Sequence, residues 1–180
     1  MPNLVLNDVK LAFTQNMTRE SDFGGWNYSF IINKKEFCDK VRATLETQKT
    51  QVWASSKNTD AFILQKCNAK SKDDVTHEGV NSMMNEDDVL IQVKSKSAPI
   101  ANTKNAQLGR GTTADILIDV FEYEYGKKQF ICVRSHSERG ITVKVNNLKE
   151  YAGATKYFEV EPDAVMGFNK EALDDVVGPF

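Results

Sequence analysis

Histidine is almost missing from this chain of 180 residues, and no set of residues is spaced to ligate a metal. His77 and His136 stand apart, and neither has two cysteines beside it at zinc spacing. Only three cysteines occur, Cys38, Cys67 and Cys132, far apart and odd in number. That usage argues against a disulfide framework and for a reducing compartment. No apolar run is long enough for a membrane-spanning helix, and no apolar stretch opens the chain, so the expectation is a cytoplasmic protein that engages no membrane. A phosphate loop is also lacking, because Gly109-Arg110-Gly111 is too short and leads into strand residues rather than a helix. Ser135-His136-Ser137 has no nucleophile-elbow pattern. The pairs Asp73-Asp74 and Asp87-Asp88 read as solvated loop, not as a cation site. With no convergent acid, base and nucleophile, neither catalysis nor a bound cofactor or metal is expected.

A surplus of basic charge is absent from the totals as well: the net charge is −2 and the pI about 5.8. The distribution matters more than the sum. From Glu159 onward six acids face the single Lys170, which leaves 22 basic against 19 acidic side chains in residues 1–158. A mildly basic body joined to an acidic end suits a polyanion partner. The length suits one domain with its own core, assigned to residues 1–158, followed by an acidic, flexible tail at 159–180.

What is present is organised around residues 112–125, Thr-Thr-Ala-Asp-Ile-Leu-Ile-Asp-Val-Phe-Glu-Tyr-Glu-Tyr. Ala114, Ile116, Ile118 and Val120 recur at period two, while Asp115, Leu117, Asp119, Phe121, Tyr123 and Tyr125 occupy the other face. The run is long against a usual strand of about five or six residues, so it should bend across two halves of a barrel, with a bulge at Val120-Phe121. Residues 3–13 read as a first strand whose parity changes at Asn7-Asp8, the mark of another bulge. Trp26, Tyr28, Phe30 and Ile32 share one side of a second strand. Asn33 caps the helix after it, with Glu36 in capping-box position and Phe37, Val41 and Leu45 as its apolar stripe.

Residues 50–88 read as an insertion, with a short strand at 51–54, a helix at 59–67 and a polar, mobile stretch from Lys70 to Asp88. A strand at 89–97 follows, with Val89, Ile91 and Val93 inward and Gln92, Lys94 and Lys96 outward. Gly126-Lys127-Lys128 turns a hairpin into a strand around 130–133, and Glu138-Arg139-Gly140 turns into a strand at 141–145 with Thr142 and Lys144 outward. This order predicts a mainly β protein: a five-stranded Greek-key barrel of the OB type with one amphipathic helix, an insertion and an extra hairpin. A plain β-sandwich is the structural alternative.

A groove for single-stranded nucleic acid needs cations for phosphates and aromatic faces for bases. Lys94, Lys96, Arg110, Lys127, Lys128, Arg134 and Lys144 are the candidate cations, and Tyr123, Tyr125, Trp26 and Tyr28 the candidate platforms. Trp26 and Tyr28 share a face with Phe30 and Ile32, so core burial competes with stacking there. The acidic end, with Asp174, Asp175, Pro179 and Phe180, offers an anionic segment and an apolar ring that could lie in the same groove.

Residues 4–13, 26–32 with the helix after them, Val89-Leu-Ile-Gln-Val-Lys-Ser-Lys-Ser-Ala-Pro99, 111–125, Gly140-Ile-Thr-Val-Lys-Val145 and the ending Asp174-Asp175-Val-Val-Gly-Pro-Phe180 together resemble the T-odd phage single-stranded DNA-binding family. The resemblance covers most of the chain outside 50–88, although this tail is less densely acidic than is typical. It implies an OB fold, no catalysis, and coating of single strands during phage replication, recombination and repair. It further implies a tail that shields the groove and recruits replisome proteins such as polymerase and helicase-primase, in the host-cell cytoplasm, with a homodimer left open. A barrel that binds only a protein partner, or an OB domain that prefers RNA, are the rival readings.

Overall fold

The computed structural model describes residues 3–18, 20–22, 24–46, 59–104, 108–136 and 140–149. The strand expected at 51–54, the turn residues Glu138 and Arg139, and the whole tail with Asp174, Asp175, Pro179 and Phe180 lie outside the described residues. Seven strands are described: β1 (Asn3–Phe13), β2 (Trp26–Asn33), β3 (Lys70–Ser71), β4 (Asp88–Ser95), β5 (Thr113–Tyr125), β6 (Lys128–Ser135) and β7 (Val143–Asn147). Hydrogen bonding runs β1-β2-β4-β6-β5, and β5 returns to β1 to close a five-stranded barrel. β4 and β6 run parallel while the other barrel neighbours are antiparallel. This is the expected OB-type Greek key. β3 and β7 are additions on β4 and β5.

β5 bridges the two halves of the barrel as its length implies. Its first part pairs with β1 and β7, and its second part, from Ile118 to Tyr125, pairs with β6. The bend comes from β1, whose register to β5 shifts between Leu6 and Val9. There Asp8 adopts φ 55, and its N–H donates to Asp115 Oδ1 at 2.8 Å. The bulge expected at Val120-Phe121 is not there: the β5/β6 register is unbroken from Ile118 to Tyr125. Val120 faces the core while Phe121 lies outward under a cation, so two large apolar neighbours on opposite faces imitated a break in alternation.

Leu6, Leu11, Phe30, Ile91, Ile116 and Ile118 form the barrel core, and α1 (Lys34–Glu46) adds Phe37, Val41 and Leu45 to it. Asn33 caps α1 as expected, accepting from Glu36 N–H at 3.1 Å. Tyr28 is fully buried in this core, so its ring is packing and not a base platform. Burial pushes its hydroxyl pKa up, and that hydroxyl has no protein partner among the described residues. Tyr28→Phe is therefore expected to leave unfolding free energy within about 1 kcal/mol of the parent. Tyr28→Ala should cost about 3–5 kcal/mol. Urea denaturation checks both, and a loss of stability from Tyr28→Phe matching that from Tyr28→Ala would refute the assignment.

The helix expected at 59–67 is present, and the stretch from Lys70 to Asp88, expected to be mobile, is folded. α2 (Asp60–Lys66) is capped by Thr59, whose Oγ1 accepts from Phe62 N–H, and Ile63 anchors it in the main core. After β3 and a 3-10 turn at Lys72–Asp74 comes the one-turn α3 (Glu78–Asn81), where His77 Nδ1 accepts from Val80 N–H at 3.2 Å. Val75, Val80 and Met84 pack on Ala12, Ile31 and Leu90 as a second, smaller apolar cluster outside the barrel. The spacing of 75, 80 and 84 matches neither sequence period, which is why the segment reads as polar filler. At β7 the strand begins two residues later than expected. Thr142, predicted outward, is buried and accepts from Ser135 Oγ at 3.3 Å, while Ile141 is 53% exposed.

Candidate nucleic-acid interface

β4 has β2 along one edge, but among the described residues its other edge meets only β3, at Val89 and Leu90, and β6, at the single bridge Lys94–Arg134. Where β4 and β6 splay apart a groove of about 930 Å³ opens. Its floor is the outer face of β2 and β4, with Asn27, Ser29, Leu90, Gln92 and Lys94. One wall is built from residues 65–70 and 74–77, and the other from Tyr123 of β5 and residues 130–133 of β6. The twist that closes a five-stranded barrel forces this seam, because two parallel strands at the closure diverge.

Lys66, Lys70 and Lys94 line the groove against one carboxylate, Asp74. Arg134 lies in register with Lys94, and its guanidinium carbon sits 4.8 Å from the Phe121 ring centre, which holds the cation on an aromatic face. Asp119 is cross-strand from Arg134 and almost wholly buried, and its Oδ1 accepts from His136 Nδ1 at 2.7 Å. A polar row, Asn27, Lys94, Arg134 and Asp119, thus crosses four strands. At one end Tyr123 stacks on Phe130, ring centres 5.3 Å apart at 24°. Tyr123 is 42% exposed and Tyr125 79%, so both rings have a free face. Gly126 at φ 65 makes the two-residue turn of this hairpin, and glycine at the first central position suits a type II′ turn.

At the opposite end Phe13 and His77 both line the groove and meet edge to face at 5.3 Å. Burial, reinforced by the Arg110 charge, holds the His77 pKa below its ordinary value. A neutral ring whose Nδ1 accepts from Val80 carries its proton on Nε2, so the 3.4 Å approach of Arg110 Nη2 to Nε2 is packing rather than a hydrogen bond. Gly79 makes room for this guanidinium: a Cβ there would lie 2.6 Å from Arg110 Nη1. The cysteines, distant in sequence, converge at the wall: Cys67 and Cys132 line the groove, and Cys38 lies close enough to influence Cys67. Burial pushes all three thiols up, Cys38 to about 11, so they are protonated and chemically quiet.

Of the predicted residues, Lys94 and Tyr123 line the groove and Arg134 stands beside Lys94. Tyr125, Lys127 and Lys128 sit at the exposed tip of the same hairpin, and Arg110 reaches the far end through His77. The structure does not bring in the others. Tyr28 is in the core, Trp26 is half-buried opposite Ser95, Lys96 lies beyond the end of β4, and Lys144 is on β7 opposite Asp115. None of these four lines the groove. Sequence reasoning missed Phe130, which the hairpin register would have placed opposite Tyr123. It also missed Asn27, Ser29 and Gln92 as floor, and Lys66, Lys70 and His77 as wall. The wall residues carry no local signal, since only the fold of residues 59–87 turns them toward the seam.

No protein-family model matches the sequence, and no curated protein matches it by sequence. Solved structures do match in fold. The single-stranded DNA-binding protein from bacteriophage Enc34 aligns at TM-score 0.55 with 10% identity, covering 83% of this chain and 84% of that one. The same phage protein in complex with single-stranded DNA aligns at TM-score 0.53 with 10% identity, over 83% and 88%. Gp2.5, a single-stranded DNA-binding protein encoded by bacteriophage T7, aligns at TM-score 0.50 with 7% identity, over 88% and 93%. At these identities the likeness is one of fold: the chain has the barrel architecture of phage single-stranded DNA-binding proteins.

Proposed function

We propose that this protein binds single-stranded DNA without sequence preference and acts as a binding protein, not an enzyme. The observation that carries the reading is the groove at the barrel seam, where lysines outnumber the one carboxylate and a pair of aromatic rings stands at each end, stacked at Tyr123–Phe130 and edge to face at Phe13–His77. Such a site meets the two needs of single-strand binding, counter-charge and π-faces. It also lies on the strand face that OB barrels use for oligonucleotides. The fold neighbours, one of them described in complex with single-stranded DNA, support the same reading. Lys94, Arg134, Lys66 and Lys70 neutralise phosphates, with Arg110, Lys127 and Lys128 extending the path at its ends, and Tyr123 and Tyr125 stack bases.

The setting proposed with it is phage replication, recombination and repair, in the cytoplasm of the host. Residues 159–180, six acids against one lysine, then compete with DNA for the groove and recruit replication proteins. Titration with oligo-dT at several salt concentrations tests the first part: log K should fall with log salt at about −0.7 per phosphate contacted. Salt-insensitive binding, or preference for duplex, overturns it, and matched RNA oligomers decide between DNA and RNA. Removal of residues 173–180 should raise affinity for short oligonucleotides. Unchanged binding by that truncation removes the competition.

A further inference from the structure

His77 has two roles in one ring. It lines the groove edge to face with Phe13, and it caps α3, where its Nδ1 accepts from Val80 N–H at 3.2 Å. Val80 is fully buried in the small cluster on Ala12, Ile31 and Leu90, so the capped residue is also an anchor of the wall. The next residue ties the same turn to the rest of its segment. Asn81 Nδ2 donates to Lys72 O at 2.7 Å and to Val75 O at 3.0 Å.

A neutral imidazole carries one N–H and one acceptor nitrogen. With the proton on Nε2, a second proton can be taken only on Nδ1, the atom to which Val80 N–H donates. Charge and cap therefore compete for one lone pair. An imidazolium would set two donors face to face and leave the Val80 N–H unsatisfied. The surroundings also oppose the charge. Arg110 Nη2 lies 3.4 Å from Nε2, and a Cβ at Gly79 would lie 2.6 Å from Arg110 Nη1 and 3.2 Å from His77 Cε1. The guanidinium is thus packed against the same turn. Among the described residues, Asp74 and Glu78 flank the ring on its own segment, Lys94 stands on the groove floor, and Phe13 of β1 brings no charge. Arg110 is the group whose charge bears on the ring, in the same direction as burial.

We infer that His77 is a proton-operated clasp on the groove wall: neutral, it holds residues 72–84 to the barrel, and protonated, it releases them. Released, the ring titrates as a free imidazole near about 6.5, whereas the closed wall accepts a proton only at lower pH. The clasp is then complete above about pH 6.5 and fails as the pH falls below it, opening increasing by up to about tenfold per pH unit until the closed-state value is passed.

The test is amide-exchange protection of residues 78–84 in the full chain, measured between about pH 7.5 and about pH 5.5. In the parent, protection should fall toward acid by up to about tenfold per pH unit, while β2 and β5 stay protected. His77→Asn supplies a cap that does not titrate, so its protection should hardly change with pH. His77→Ala should be weakly protected throughout. His136 is present in all three chains and cancels in the comparison. Protection in the parent that does not change with pH, or an equal fall in His77→Asn, overturns the clasp. Oligo-dT titration adds a second readout, resting on the single-strand reading above: in acid the parent should lose affinity relative to His77→Asn. A relative gain in acid would make His77 a phosphate cation and overturn the clasp. Failure to bind oligo-dT at any pH overturns the single-strand reading, and the exchange result still decides the clasp.

Discussion

A chain carrying Lys94→Ala together with Arg134→Ala is expected to bind single-stranded DNA about 25-fold more weakly at about 0.1 M salt, with a salt slope shallower by about 1.4. The reasoning starts from their register: the two residues form the only β4–β6 bridge among the described residues, so both cations stand at one point of the groove. Each phosphate they neutralise releases condensed counterion, and two such contacts at about 0.7 each set both numbers. Arg134 is half-buried and packs on Phe121, so its loss also removes a cation–π contact of about 0.5–2 kcal/mol. Melting of each variant separates that cost from lost binding. Tyr123→Ala should weaken binding by about 1–3 kcal/mol with no change in slope, and Tyr123→Phe should keep most of it. An unaltered slope in the double lysine–arginine variant would remove these two residues from the phosphate path.

Met84→Ala is expected to loosen the groove wall while sparing the barrel. The apolar anchors of residues 75–84 are Val75, Val80 and Met84, packed on Ala12, Ile31 and Leu90. Truncating a buried methionine costs about 2–5 kcal/mol, a large share of what so small a cluster supplies. The main core, with Phe30, Ile91, Ile116 and Ile118, shares none of those residues. Amide exchange should therefore quicken across residues 72–84 and stay slow in β2 and β5. Affinity for single strands should fall with it, because His77 and the neighbouring wall lose their positions. A uniform rise in exchange over the whole barrel would show that the wall and the barrel open as one unit.

Alternation at 112–125, the parity change at Asn7-Asp8, the Asn33 cap and the stripe Phe37, Val41 and Leu45 were all sufficient locally, because each is a short-range steric or hydrogen-bonding preference. The aromatic, basic hairpin around Gly126 was legible for the same reason. Burial was harder. Tyr28 could be placed only once the side it shares with Phe30 was known to face inward. Ile31 and Leu90, on the opposite parity, look like solvent-facing errors until residues 75–84 cover them.

The amino-acid order alone determined that this is a small barrel with one capped helix, a long shared strand and a cationic, aromatic hairpin, since neighbours within a few residues set those features. Which cations stand together was decided only in three dimensions. Lys66 and Lys70 line one groove with Lys94, which stands 24 or more residues further along the chain, while Lys144, equally basic, ends on another face. Pairing of distant strands carries no local signature, and it alone turned scattered charges into one groove.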